Sequence, residues 1–95
     1  MGNKSCDATK FSSGDKIFYQ VSGKVVVVYA NSITTTASVN GNIASGLPAP
    51  ISATYGLMFD TAGVPYKFTI NTNTAISAVI PSGKIISGQF VYIAQ

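Results

Sequence analysis

Apolar and polar residues alternate with a period of two along much of this chain, and this alternation most constrains its fold. It is clearest over residues 33–39, 51–59 and 66–71, where β-branched and aromatic side chains recur at every second position. Successive side chains of a β-strand point to opposite faces, so this period predicts half-buried strands. No window has a helical period, and Gly or Pro recurs throughout. The sequence therefore predicts an all-β domain.

Turn-forming residues separate the alternating segments at short intervals. Ser-Gly-Lys occurs at 22–24 and at 82–84, and Asn40-Gly41 is a typical two-residue hairpin turn. Short strands at this spacing indicate an antiparallel β-sandwich, jelly-roll-like, of about eight strands within a single domain over residues 16–95. The predicted strands span residues 16–22, 24–30, 33–39, 42–46, 51–59, 65–71, 74–80 and 84–94. Residues 1–15 are mostly polar and are predicted to be a leader, a linker or an expression remnant.

Two segments, 24–30 and 84–94, are apolar on both faces of the predicted strand. Such a strand needs a core on one side and a second cover on the other. Only 9% of the residues are charged, against about 25% in typical soluble domains. A surface with so few charges is expected to be covered by other copies of the chain. The sequence thus predicts an oligomer, and the residues assigned to its subunit interface are Val26, Val28, Ile86, Phe90 and Tyr92.

The composition argues against an enzyme. The chain has no His, no Glu and a single cysteine, Cys6, and its aspartates Asp7, Asp15 and Asp60 are far apart in sequence. A Ser–His–Asp triad is impossible, a carboxylate pair is improbable, and the His and Cys clusters that hold zinc are missing. We therefore expect no catalytic residues, no metal site and no cofactor.

Two classes of partner are also not expected. The six lysines are scattered and no arginine is present, so binding to nucleic acid is not expected. No apolar run approaches the roughly 20 residues of a transmembrane helix, so membrane insertion is not expected.

Saccharide binding remains compatible with this composition, because it requires an aromatic face and hydrogen-bonding side chains but no catalytic group. Asn40 and Asn42 are possible contributors near predicted loops. For the tyrosines the alternative is burial in the core, and for the asparagines it is turn formation. The predicted ligand-binding residues are Tyr55, Asp60, Tyr66, Asn71 and Asn73.

Residues 17–94 resemble the receptor-binding head domain at the tip of tail fibres and baseplate proteins of tailed bacteriophages. The resemblance is carried by IASGLPAPI at 43–51, YKFTIN at 66–71 and NTAISAVIPSGKIISGQFVYIA at 73–94. It implies a jelly-roll-like homotrimer at the virion tail tip that binds a bacterial cell-wall or surface polysaccharide outside the cell. It also implies that this chain is one domain of a longer fibre protein.

Within this resemblance, residues 46–50 are expected to form a crossing between strands rather than a binding site, since Pro lacks a backbone donor. Two other functions stay open. One is a structural tail-tip or trimerisation module without a ligand, and the other is a cell-surface adhesin module unrelated to phage.

Overall fold

The computed structural model describes residues 2–95 and contains eight β-strands in one antiparallel sheet. The strands occur in the sheet in the order β1-β2-β3-β8-β5-β6-β7-β4. Their bounds are β1 Gly2–Ser5, β2 Lys16–Ser22, β3 Val25–Thr34, β4 Val39–Ala44, β5 Thr54–Asp60, β6 Pro65–Ile70, β7 Ile76–Ile80 and β8 Ile85–Ile93. The prediction of an all-β antiparallel fold with about eight strands is confirmed.

The strands pair in a nested order that is typical of a jelly roll. β5 pairs with β6, β4 with β7, and β3 with β8, so that each outer pair encloses the next along the chain. The sheet curls until its two edge strands approach each other. The amide of Asp7, just beyond β1, donates to the carbonyl of Ile43 in β4 at 2.8 Å. One nearly closed sheet therefore wraps a single core.

The core is filled by every second residue of these strands. Its largest fully buried side chains include Phe11, Phe68, Ile17, Ile33, Ile43, Leu47, Met58, Ile70, Ile76, Ile80 and Ile86. Among the buried polar groups, the Thr35 hydroxyl donates to the carbonyl of Pro81 at 2.8 Å and accepts from the amide of Lys84 at 2.9 Å. The core is thus apolar, with its few polar groups hydrogen-bonded.

The predicted strand 24–30 continues to Thr34 as β3, whereas the predicted strand 33–39 is wrong, because residues 35–38 lie between β3 and β4. Strand β3 pairs with β8 on both sides of an irregularity between Ala30 and Ile33. Asn40-Gly41 is likewise not a hairpin turn but lies inside β4, opposite Val79 and Ala78 of β7. Local turn preference is overridden here by pairing between distant segments.

Residues 2–15 belong to the domain, which corrects the prediction of a leader or linker. β1 pairs with β2 along its whole length, and Cys6 and Phe11 are buried. Phe11 also forms a bridge with Thr35. Because the core takes up these two apolar side chains, the segment folds with the domain; Met1 lies outside the described residues.

The proline-containing segment after β4 is a crossing, as expected. It runs from the end of β4 at Ala44 to the start of β5 at Thr54. Along the way the amide of Ile51 donates to the carbonyl of Ile93 at 3.1 Å. The hydroxyl of Tyr92 donates to the carbonyl of Pro48 at 2.7 Å. The segment thereby covers the end of β8.

The residues assigned to the subunit interface lie in the core instead. Val26, Val28, Ile86, Phe90 and Tyr92 are at most 8% exposed. They face inward because they occupy alternate positions of β3 and β8. Val26 and Val28 lie opposite Tyr92 and Phe90, and Ile86 lies opposite the buried Ile33. The interface assignment is therefore corrected, and these side chains stabilise the folded monomer.

The other side of the same two strands is also apolar but faces outward. Val25 pairs with Ile93, and Val27 pairs with Val91. Val25, Val91 and Ile93 are 41–55% exposed, and Val27 is partly exposed. We call these four residues the β3–β8 outer face. The expectation that these strands are apolar on both sides is thus met.

Candidate functional site

A shallow groove of about 200 Å³ runs across the outer side of β4, β6 and β7. It exists because the outward residues of these strands alternate with buried neighbours such as Phe68 and Ile80. The sheet register places Thr69 beside Ser77, and Val79 beside Asn40. The residues that line the groove are Asn40, Gly41, Lys67, Thr69, Ser77, Ala78 and Val79.

Tyr55 stands at the border of this groove. It lies on β5 directly opposite Thr69, and its side chain is 62% exposed. The ammonium of Lys67 lies 4.6 Å from the centroid of the Tyr55 ring, within the range of a cation–π contact. We call the seven lining residues together with Tyr55 the Tyr55 groove. It combines an exposed aromatic ring, a cation and short polar side chains.

Several polar groups of the groove are free to bind a ligand. Within residues 2–95, the side chains of Asn40 and Thr69 make no hydrogen bond to the chain. The hydroxyl oxygen of Ser77 accepts from the Asn71 amide group at 3.3 Å, which leaves the Ser77 hydroxyl proton available. A polar ligand in the groove would therefore meet unoccupied hydrogen-bonding groups.

Asp60 and Tyr66 are brought together, but in the turn between β5 and β6. The Tyr66 hydroxyl donates to Asp60 Oδ2 at 3.0 Å. Asp60 Oδ1 accepts from the amides of Ala62 and Val64 at 2.8 and 3.0 Å. Neither residue lines the groove. The carboxylate therefore shapes the turn by the side-chain-to-backbone bonding that is common at turn aspartates.

The same bonds move the pKa of both groups in opposite directions. Hydrogen bonding from the Val64 amide, with help from Tyr66 and Ala62, lowers the pKa of the Asp60 carboxyl below its ordinary value. Burial, followed by the bond to Asp60, raises the pKa of the Tyr66 hydroxyl. Asp60 thus stays ionised and Tyr66 stays protonated at neutral pH.

Asn71 and Asn73 hold the turn between β6 and β7. The Asn71 amide group donates to the carbonyl of Ala75 at 3.2 Å, and Asn73 Oδ1 accepts from the Ala75 amide at 3.1 Å. Neither asparagine lines the groove, although Asn71 supports Ser77 from behind. Of the five predicted ligand-binding residues, only Tyr55 borders the groove. Of the two further asparagines, Asn40 lines it and Asn42 does not.

Sequence reasoning missed Lys67, Thr69, Ser77 and Val79. All four occupy outward positions of β6 and β7, and the alternation within YKFTIN and ISAVI marks such positions. The alternation does not show which strands lie next to each other in the sheet. The pairing of β4 with β7 joins segments more than thirty residues apart, and only that pairing brings Asn40 to the groove.

Cys6 and Asp15 are both engaged within the fold. Burial, and secondarily the charge of Asp15, raises the pKa of the Cys6 thiol to about 12, so this cysteine stays a protonated thiol. Asp15 Oδ2 accepts from the amide of Thr34 at 2.7 Å. Among residues 2–95 no three His, Cys, Asp or Glu side chains are grouped so that they could hold a metal ion.

Comparison with known proteins leaves the groove as the basis for assigning a function. No protein-family model and no curated protein matches this chain. In the part of the chain that the structure describes, no helix is long and apolar enough to cross a membrane.

Proposed function

We propose that this chain is a non-enzymatic, bacteriophage-type receptor-binding head domain that adheres as a homotrimer to a saccharide on the bacterial surface. The observation that carries the proposal is the exposed Tyr55 ring beside a groove of unoccupied polar groups. Saccharides are recognised by this combination, because the apolar side of a sugar ring packs on an aromatic face while the hydroxyls form hydrogen bonds.

The dimensions of the groove suit part of a polymer. Its volume of about 200 Å³ is below the roughly 300–1,000 Å³ of pockets that enclose drug-sized ligands. A groove this small and open is suited to one sugar unit of a chain that lies across the surface. Such a contact is weak by itself, so useful adhesion requires several grooves on one particle.

A homotrimer supplies that multivalency. The β3–β8 outer face is the surface best suited to association, because it holds four aliphatic side chains in two directly opposed pairs without a charge. Ile51, 63% exposed, extends this apolar surface, since its amide is bonded to Ile93. The number of three subunits rests on the resemblance to phage head domains.

The saccharide proposal is tested by binding of Tyr55→Ala to an array of bacterial surface polysaccharides. We expect binding roughly five- to a hundredfold weaker than wild type, since the sugar loses its aromatic platform and loss of such a platform costs about 1–3 kcal/mol for a stacked nucleobase. Phe59→Ala is the matched control, because Phe59 is an exposed aromatic on the same face of β5, about 13 Å along the strand. Equal loss in both variants, or no saturable binding by wild type, would refute a saccharide site at this groove.

The second candidate is a structural tail-tip or trimerisation module without a ligand. The exposed β3–β8 outer face favours it, because that surface supports assembly whether or not the groove is used. Light scattering and the array together separate the two functions. A stable oligomer that binds no saccharide supports the structural module, whereas an oligomer whose binding depends on Tyr55 supports the receptor-binding head.

A further inference from the structure

The polar groups that face the Tyr55 groove include a cation but no anion. The ammonium of Lys67 can only donate. The hydroxyls of Thr69 and Ser77 and the side-chain amide of Asn40 can donate as well as accept. No carboxylate lines the groove. The groove therefore presents one full positive charge and no negative charge to a ligand.

The carboxylates of the chain are occupied elsewhere, so none of them neutralises Lys67. Asp7 accepts from the amide and hydroxyl of Thr9 at 2.9 and 2.7 Å. Asp15 accepts from the amide of Thr34, and Asp60 is held in the turn that follows β5. These three are the only acids in the sequence, whose net charge is +3. The ring of Tyr55 positions the ammonium of Lys67 without cancelling its charge.

An anionic sugar would gain more from this set of groups than a neutral sugar. The hydroxyls of a neutral sugar can donate to and accept from the hydroxyl and amide groups, but they offer Lys67 no charged acceptor. An anionic sugar brings its own acceptor oxygens, and a hydrogen bond between ions is roughly twice as strong as one between neutral groups. We infer that the saccharide bound in the Tyr55 groove is anionic, with a carboxylate or phosphate group placed on Lys67. This inference rests on the proposed function.

The test uses the full chain and three classes of bacterial surface polysaccharide: neutral, uronate-containing and phosphodiester-containing. We expect wild type to bind the uronate or the phosphodiester class. Which of the two it binds shows whether the anionic group is a carboxylate or a phosphate. Lys67→Gln should weaken that binding at least tenfold, since it removes a hydrogen bond between two charged groups. Lys67→Arg, which keeps the charge, should retain most of the affinity.

A matched control separates contact with the ligand from a change of net charge. Lys24→Gln removes the same charge from an exposed lysine outside the groove, and we expect it to leave the affinity within twofold of wild type. Raising NaCl from about 50 to about 500 mM should weaken wild type more than Lys67→Gln, because salt screens the charge that the variant has lost. Both lysines are exposed, so the melting temperatures should match that of wild type.

Two other outcomes would overturn the inference, and they differ in whether the proposed function is retained. If wild type binds neutral polysaccharides, and Tyr55→Ala but not Lys67→Gln abolishes that binding, the ligand is a neutral saccharide and the proposed function is retained. If no class binds saturably, the proposed function fails, and the inference about charge fails with it.

Discussion

The inner and outer sides of the β3–β8 ladder contain similar residue types but differ in what they contact. The inner side, which we call the β3–β8 inner face, consists of Val26, Val28, Phe90 and Tyr92. Phe90 packs on Phe68 and on the bare backbone of Gly56, and Tyr92 bonds to Pro48. The outer face is purely aliphatic and has no such matched partners in the described chain.

This difference indicates separate roles for the two sides. A core requires complementary shapes and satisfied polar groups, and the inner face has both. A flat, uncharged aliphatic surface without partners is typical of a surface that another molecule covers. Substitutions on the two sides should therefore have effects of different size and kind.

The largest effect is expected for Val28→Asp on the inner face. Val28 is fully buried opposite Phe90, and an unpaired buried carboxylate costs several kcal/mol. That loss is comparable to the whole stability of a domain of this size. We expect a protein that is unfolded at 25 °C by circular dichroism and amide exchange. A cooperative melt within about 10 °C of wild type would contradict the assignment of Val28 to the core.

The next largest effect is expected for Gly56→Ala. A Cβ on Gly56 would lie 2.0 Å from Phe90 Cγ, so the phenyl ring would have to move. Overpacking of this kind costs about 1–3 kcal/mol, which lowers the melting temperature by about 5–20 °C. A double-mutant cycle with Phe90→Ala, which removes Cγ and the rest of the ring, tests the cause. The double variant should be less destabilised than the sum of the single variants, and simple additivity would show that the ring is not the obstacle.

The strands themselves were largely predictable from local pattern. Residues 66–71 alternate between apolar and polar side chains, and the observed β6 spans Pro65–Ile70. The predicted strand 16–22 coincides with β2, Lys16–Ser22. The inner and outer sides of β3 and β8 could not be distinguished, because Val and Ile occur on both and no polar residue marks the solvent side. Residues 2–15 were misassigned because Phe11 is a lone apolar residue that no periodicity identifies.

The groove was only partly predictable for a different reason. Tyr55 could be proposed because an aromatic residue near a strand end is a plausible sugar platform. Asp60 and Asn73 were equally plausible by residue type, but their side chains bond to the backbone of their own turns. Residue type does not indicate whether a side chain is used for folding or is left free for a ligand; the register and the hydrogen bonds do.

A moderate effect is expected for Tyr92→Phe, also on the inner face. The substitution removes one hydrogen bond and leaves the carbonyl of Pro48 without its donor. We expect a loss of about 1 kcal/mol in the free energy of unfolding at pH 7, measured by urea denaturation. Tyr55→Phe, at an exposed site, is the control and should be close to neutral.

The same hydroxyl also makes the stability of the protein depend on pH in the alkaline range. Burial, and then the charge of Tyr19, raises the pKa of Tyr92 to about 12, against about 10 in an unfolded chain. The folded state therefore holds this proton more tightly, and the resulting stability is present below pH 10 and is lost as the pH rises towards 12. Tyr92→Phe should show a smaller decrease in stability over this range. Part of the decrease in stability should remain in this variant, because the pKa values of Tyr66 and Cys6 are also raised.

The smallest effect on folding is expected for Val91→Asp, on the outer face one row away from Val28. Val91 is 55% exposed, so the added carboxylate stays hydrated and the free energy of unfolding should change by less than about 0.5 kcal/mol. The proposed oligomer, however, should be absent for this variant in light scattering, because the charge would be buried between subunits. Val79→Asp adds the same charge at an exposed valine of β7 and should leave the oligomer intact. If Val91→Asp remains associated while Val79→Asp does not, the subunits meet at the β7 side of the sheet, and the β3–β8 outer face is solvent-exposed in the assembly.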